Sequence, residues 1–415
     1  MNLGAADLPA RCDVLVVGAG PAGSAAAQWL ARAGRNVLLV DQQAFPRDKV
    51  CGDGLIADAL RALERLGVRD AVLAEARRSP TLGCIGPRGG RIDVPGSLAV
   101  LPRKRLDEIV CQAAVAAGAR MFAPARFVAP LSEGGRVVGA ELEHGGESRR
   151  VRADWLVLAT GAQPQALLAT GLCERRAPSG IALRGYIRNP AMTPRIASLE
   201  VVWHGRLAPG YGWIFPCGDD VFNIGVGVAD DGASGSRAGR AGSQHLNLRE
   251  AFEAFQSIYA KARELVQGGE WQGPSGEALK GAPLRCSLEG ARLDAPGVLV
   301  CGEAAGSTYA LTGEGIGKAM ETALHAAEAI LGHGADEAAV RADYRARIAS
   351  LKPRFDLYAQ AHRAVSHPWL VDLLVWSARR SPRRLERLAG VLEETYLPKD
   401  GTSLRGILRR VFDLR

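Results

Sequence analysis

Asp13-Val14-Leu15-Val16-Val17-Gly18-Ala19-Gly20-Pro21-Ala22-Gly23 is the stretch whose reading decides the fold of this 415-residue chain. A short apolar run ends at Gly18 and a glycine turn follows. Residues 24–32 are alanine-rich, with Trp29 and Leu30 as the bulky positions. Gly34 stops that segment, and a second apolar run, 37–40, closes on Asp41. The order is strand, turn, helix, strand: one βαβ unit. A lone G-x-G-x-x-G says little. One that leaves a strand, opens a helix and meets an acidic residue at the next strand end is a dinucleotide fingerprint. Gly18 permits the tight turn, Gly20 lets backbone approach a pyrophosphate, and Gly23 lets helix and strand pack closely. The helix N-terminus at Pro21 and Ala22 offers free N–H groups and a positive dipole to phosphate. Asp41 can accept hydrogen bonds from ribose hydroxyls.

The length suits two to three structural units. About half the residues are apolar (47%), enough for a sizeable core, and the bulk composition gives no sign of disorder or of a fibrous repeat. The net charge is +8, dominated by arginine, much of it after Lys352. Such a surplus suits phosphate cofactors or anionic lipid, or is simply a solvated basic face. No nucleic-acid partner is expected. Eight cysteines lie scattered at 12, 51, 84, 111, 173, 217, 286 and 301, without C-x-x-C or metal-ligand spacing. They predict a reducing compartment and no metal site. Residues 1–12 read as neither signal nor transit peptide. No apolar stretch approaches the roughly 20 residues of a spanning helix. The expected location is cytoplasmic, with peripheral contact at the inner membrane face left open.

Further along, 55–66 repeats apolar residues at helical spacing and stops at Gly67. Residues 79–100 read as short strands and turns, 103–117 as helix, 136–142 and 149–158 as strands. From 179 to about 230 the period becomes two, with strands at 181–187, 196–203 and 222–228. Residues 231–244 read as a mobile Gly/Ser/Ala-rich loop, 248–266 as helix, 298–301 as strand, 316–331 as helix and 341–415 as a basic helical tail. The segments interleave. The expected fold is α/β: a discontinuous Rossmann-like FAD-binding domain (1–78, 101–178 and 281–340), an inserted antiparallel substrate domain (79–100 and 179–280), and a C-terminal helical region (341–415).

Three more stretches can carry chemistry. Pro46-Arg47-Asp48-Lys49-Val50-Cys51-Gly52-Asp53-Gly54 leads into the next helix. Cys51 near that helix's N-terminus would be biased toward thiolate; equally, it reads as a small buried packing residue. Glycines on either side of Asp53 let backbone lie against a flat ring. Tyr211, Trp213 and Phe215 recur every second residue and so share one strand face, which by itself reads as plain core. Gly302-Glu303-Ala304-Ala305-Gly306 follows a strand, and Thr312-Gly313-Glu314-Gly315-Ile316 opens a helix whose positive end could stabilise an anionic reduced flavin.

Together the glycine turn, Arg103 within Arg-x-x-Leu-Asp, the Ala159-Thr160-Gly161 turn and the late Gly-Glu-Ala-Ala-Gly segment resemble the para-hydroxybenzoate-hydroxylase-like FAD superfamily. Pro-Arg-x-Lys-x-Cys-Gly, Tyr211-Gly212-Trp213-Ile214-Phe215-Pro216 and Thr312–Ile316 resemble, within it, the geranylgeranyl reductase family. The likeness spans about residues 10–330. It implies FAD as cofactor, with NAD(P)H or another reductant as electron donor. It implies that Arg103 meets the pyrophosphate and that Glu303 lies near the ribityl or ribose hydroxyls. Gly313, Glu314, Gly315 and Ile316 would run under the isoalloxazine, with Cys51 and Gly52 at its reactive face. Gln42, Phe127, Gly161 and Gly302 are further cofactor-binding positions. Tyr211, Trp213 and Phe215 would line the substrate cavity.

The implied activity is reduction of a C=C bond in a hydrophobic, isoprenoid-like substrate, Cys51 or a water near it helping to protonate the second carbon. The alternative is a monooxygenase acting on an aromatic or peptide-borne substrate through a flavin C4a-hydroperoxide. Thr160-Gly161-Ala162-Gln163 stands where many hydroxylases of the superfamily carry Asp-Gly, which favours the reductase. There is no second G-x-G-x-x-G after a strand, hence no dedicated NAD(P)H domain. In the tail, Trp369, Leu370, Leu373, Leu374 and Trp376 precede Arg379-Arg380-Ser381-Pro382-Arg383-Arg384. That is either an amphipathic surface for anionic membrane or a helical cap with a solvated basic face.

Overall fold

The computed structural model describes residues 8–229, 247–273, 278–365 and 367–396. The expected loop at 231–244 and the tail beyond 396 lie outside the described residues.

The strand Val37–Val40 is buried at every position, as expected of a parallel strand covered on both faces. It pairs with Arg11–Val17, Val14 facing Val37 and Val17 facing Val40. On the other side Arg11–Val17 pairs in parallel with Glu147–Leu158, and that strand pairs with Val298–Val300. Residues from the start, middle and end of the chain thus lie side by side in one sheet. A β-meander, Ala125–Glu133, Arg136–His144 and Glu147–Leu158, attaches through the last of these. The helix Pro21–Arg32 packs against Ile316–His333 and Arg103–Ala116. Its alanines, Ala25, Ala26 and Ala27, are fully buried and let the helices approach closely.

The second sheet runs 270–271, 180–188, 221–229, 210–218, 199–202, 77–85, 91–100 and 54–55, with 280–284 also on 180–188. The register Tyr211↔Gly227, Trp213↔Gly225 and Phe215↔Asn223 puts alternate residues of Gly210–Gly218 on opposite faces. Ile214 packs with Phe252 and Phe255 under the helix Leu248–Ile258. Gly212 lies against the Phe255 ring, which a β-carbon there would meet at 2.6 Å. Tyr211, Trp213 and Phe215 face the other way.

Some expectations need correction. The region read as short strands and turns is one hairpin of two long strands, Arg77–Ile85 and Arg91–Val100. The helix expected from Leu248 breaks at Tyr259, whose hydroxyl donates to buried Glu200 at 2.6 Å. The helix after Cys51 starts only at Ala57, because Gly54–Leu55 first pairs with Val100 and Ala99.

Among the described residues the C-terminal region forms three helices: Glu337–Val365, Pro368–Arg379 and Pro382–Leu392. The first lies along Ile316–His333. The second buries Val371, Val375 and Ala378 against Ile92 and Val94 of the hairpin. Among the described residues, no helix is long and apolar enough to cross a membrane.

Candidate active site

A cavity of about 530 Å³ runs from the glycine turn to the aromatic strand. Its wall brings together Gly18, Gly20, Pro21, Ala22, Asp41 and Gln42 at one end, and Tyr211, Trp213 and Phe215 at the other. Cys51, Gly52, Arg103, Phe127, Gly161 and Glu303 lie between, with Gly313, Glu314, Gly315 and Ile316. Gly23 lies behind the lining: a β-carbon there would stand 1.7 Å from the Gly18 carbonyl oxygen, so its role is packing, as read. Gly302 packs beside the lining. Its backbone backs onto the dinucleotide helix, 2.7 Å from the Ala22 β-carbon for any side chain there, and its N–H donates to Thr322 Oγ1 at 2.9 Å. It shapes the wall from behind.

At the dinucleotide end the backbone does what the motif requires. Gly18 has φ +101°, and a β-carbon would stand 2.3 Å from the Ala159 carbonyl oxygen. Gly20 opens onto two guanidinium groups: a β-carbon would meet Nη2 of Arg47 at 3.4 Å and Nη2 of Arg103 at 3.8 Å. Arg103 donates from Nε and Nη2 to the two Asp107 oxygens at 2.6 and 2.9 Å, and Arg47 Nη1 reaches the same carboxylate at 3.0 Å. One fully buried aspartate therefore holds two cations, buried Arg103 and half-buried Arg47, beside the glycine turn. Asp41 accepts N–H bonds from Ala19 and Gln43, both at 2.9 Å, which orients its carboxylate toward the cavity wall. Arg47 was quoted in the sequence motif without a role. Its signal is a basic residue in the loop just past the ribose-side acid.

Midway, Lys49 Nζ stands 3.7 Å from Glu303 Oε2. Thr160 Oγ1 is buried with no hydrogen-bonding partner in the structure, and its residue lines the cavity. Burial and the neighbouring carboxylates Asp58 and Glu394 push the Glu314 carboxyl well above the usual range, against the pull of Lys318. Its proton is therefore held more tightly than on an ordinary glutamate.

At the reactive end, Gly52 and Gly54 lie flat against the Phe215 ring, which β-carbons would meet at 3.3 and 3.4 Å. The flat ring they meet is thus a side chain of the protein. Tyr211, Trp213 and Phe215 follow one another with centroids 6.2 and 6.4 Å apart. The Tyr211 hydroxyl donates to the Thr312 carbonyl, tying this strand to the loop before Ile316–His333. Of the two readings of Cys51, the packed thiol fits this geometry better. The helix N-terminus is too far downstream, and burial pushes the thiol up, opposed chiefly by the charge of Arg103. Its sulfur accepts the Asp53 N–H at 3.3 Å.

Sequence reasoning also missed the groups behind Cys51. Asn223 donates to the Cys51 carbonyl at 2.7 Å and to Asp53 Oδ2 at 2.8 Å, and it accepts from Trp213 Nε1 at 2.9 Å. A polar amide inside the apolar strand Val221–Ala229 was the available sign. His362, from the C-terminal region, lines the cavity too.

The two arginines at Gly20, the unpartnered Thr160 hydroxyl, the Asp41 and Glu303 carboxylates and the helix start at Ile316 are the donor and acceptor set of an FAD site. Two sheets, a glycine turn and an aromatic-walled cavity on one pocket define a flavin-dependent oxidoreductase.

The sequence matches the FAD binding domain family over residues 11–184. It is 36% identical to the menaquinone reductase of Mycolicibacterium smegmatis over 338 residues, 78% of this chain and 77% of that one. It is 31% identical to the digeranylgeranylglycerophospholipid reductase 1 of Methanopyrus kandleri, over 74% of this chain and 77% of that one. The chain belongs to the geranylgeranyl reductase family of FAD-dependent oxidoreductases. In fold, it superposes on a geranylgeranyl bacteriochlorophyll reductase-like protein from Thermoplasma acidophilum (TM-score 0.71, 22% identity, 97% of this chain and 96% of that one). It superposes equally on a flavin-dependent brominase (TM-score 0.74, 20% identity, 97% and 98%). The fold therefore does not separate these chemistries.

Proposed function

We propose that this protein saturates C=C bonds in the prenyl chain of an isoprenoid quinone or isoprenoid lipid. The observation that carries this reading is the aromatic wall Tyr211–Phe215 against the Cys51–Gly54 strip, in the same cavity as the dinucleotide turn. Beyond Phe215 the lining turns aliphatic, with Ile56, Leu82, Leu98 and Leu199. That surface suits a prenyl chain and offers an aromatic substrate few polar anchors. The names of the menaquinone and geranylgeranyl lipid reductases support the same substrate class.

Bound FAD supplies the electron pair and one hydrogen of the reduction. The second hydrogen, a proton, comes from the protein side. Cys51 is suited to give it, because its thiol is kept protonated at neutral pH. Arg47, Arg103, Asp41 and Thr160 hold the cofactor's polar half, and Glu303 and Glu314 meet its middle. Tyr211, Trp213 and Phe215 exclude water and align the chain. The test is to incubate anaerobically reduced holoprotein with a prenylated quinone and weigh the product. A gain of one H₂ per prenyl bond supports the reading. No gain, with formation of a long-lived oxygen adduct on admitting air, refutes it.

NAD(P)H is the reductant we assign, checked by comparing flavin bleaching rates with NADPH, NADH and a reduced ferredoxin. We also assign the tail a peripheral membrane contact. Trp369 and Trp376 are 51% and 44% exposed on one face of Pro368–Arg379, with exposed Arg379, Arg380 and Arg383 beside them. Co-sedimentation with anionic vesicles at low salt tests it, and a negative result removes it.

A further inference from the structure

The Cys51–Gly54 strip is held by one side chain. Asp53 is fully buried and adopts a left-handed backbone, φ 65°, that a non-glycine residue keeps only when its surroundings fix it. Its carboxylate takes three donors from three elements. Oδ1 accepts the N–H of Arg103, the first residue of the helix Arg103–Ala116, at 3.2 Å. Oδ2 accepts the Tyr186 hydroxyl and, at 2.8 Å, the Asn223 amide. Through Asn223 the same carboxylate is one bond from Trp213 and from the Cys51 carbonyl. Its own N–H is the donor on the Cys51 sulfur. Asp53 thus joins the pyrophosphate helix, the aromatic wall and the reactive cysteine.

We propose that Asp53 is the positioning residue of the reactive loop: its ionised carboxylate draws Arg103, Tyr186 and Asn223 together and so fixes Cys51 and Trp213 on either side of the Asn223 amide. A protonated carboxyl carries no charge and places a hydrogen on one of the oxygens that accept these bonds, which weakens the hold on all three donors. The inference rests on the proposed role of Cys51 only for its effect on turnover.

The charged and titratable groups facing Asp53 are Arg103 on the helix, Arg184 and Tyr186 on Gly180–Arg188, Cys217 on Gly210–Gly218, and Cys51 beside it. Burial dominates them and lifts its pKa to about 6, close enough to neutrality for the loop to respond to mild acid.

The experiment is peptide-resolved alkylation of Cys51 in the FAD-loaded protein, wild type against Asp53→Asn, at pH 7.5 and pH 5. At the higher pH the wild-type carboxylate is ionised and only the variant loop is loose, so Cys51 labelling in the variant is expected to be at least tenfold faster. At the lower pH both are uncharged and the ratio falls toward one. A ratio of one at both, or an equally raised ratio at both, overturns the proposal. Should Asp53→Asn not fold, Tyr186→Phe removes one donor that stabilises the carboxylate. The acid limb of wild-type Cys51 protection then moves to higher pH, and an unmoved limb overturns the proposal. This readout needs no substrate. If labelling behaves as stated while prenyl substrates are not reduced, the loop inference stands and the substrate reading fails.

Discussion

At the glycine-turn end of the cavity, the charged groups have charged or backbone partners: Arg47 and Arg103 on Asp107, Asp41 on two N–H groups. At the far end the wall is aromatic and aliphatic, and its polar atoms, Tyr211 Oη and Trp213 Nε1, are turned onto protein partners. On the proposed reading, the first end grips a ligand by charge and backbone geometry and the second selects one by shape and dryness. Substitutions at the two ends should therefore fail in different measurements.

The largest effect is expected at Gly18. Gly18→Ala demands φ +101° of an alanine and drives a β-carbon to 2.3 Å from the Ala159 oxygen. The strain is about 1–3 kcal/mol before the clash is counted. Relief must move the Ala159–Gly161 turn, which also lines the cavity. The variant should purify without flavin, read from the ratio of flavin to protein absorbance. Asp107→Ala comes next. It leaves the buried Arg103 guanidinium without its carboxylate and Arg47 with only Asp41, at a cost of about 3–5 kcal/mol in urea unfolding of the flavin-free protein. Excess FAD should restore part of that loss, since its pyrophosphate is the alternative anion. No restoration would mean that these arginines do not meet phosphate.

At the other end the flavin should stay. Phe215→Ala opens a gap beside Gly52 and Gly54 and removes one ring from the substrate wall. Full flavin content is expected, with kcat/KM for a prenylated substrate down roughly tenfold to a hundredfold, the scale of about 1.5–3 kcal/mol for a buried large apolar side chain. Loss of flavin instead would erase the division between the ends.

The same contrast decides how much could be read from the sequence. The dinucleotide end is nearly all local: strand, glycine turn and acid fall within residues 13–41, and each glycine answers a steric demand visible in the motif. The aromatic face was legible because the strand period is two, and Ile214 and Gly212 do point away from Tyr211 and Phe215. Three things were not legible. The onset of the helix after Cys51 was lost because Gly54–Leu55 pairs with Val100, a partner 46 residues away in the chain. The Asp53 hub was hidden because its donors come from residues 103, 186 and 223, and no spacing rule links them. The steric demand on Gly302 was hidden too, since only the folded helix contact at Ala22 reveals the crowding there.

The smallest effect distinguishes the two readings of Cys51. A thiol biased toward thiolate by a helix N-terminus would lose its proton below pH 8, and any step needing that proton would slow across the neutral range. In the folded protein burial raises the thiol above its ordinary value of 9.0, with Arg103 only partly offsetting it. A group whose pKa is raised keeps its proton until the pH passes the raised value. Cys51 therefore keeps its proton beyond the pH at which an ordinary thiol loses it, and turnover on a prenylated substrate should be flat from pH 7 to pH 8. A basic limb centred below pH 8 that disappears in Cys51→Ser would show that bound flavin, or its charge, reverses the effect of burial. A flat profile with a Cys51→Ser turnover equal to wild type would instead leave the thiol as packing, and move the proton donor to water ordered against Gly52.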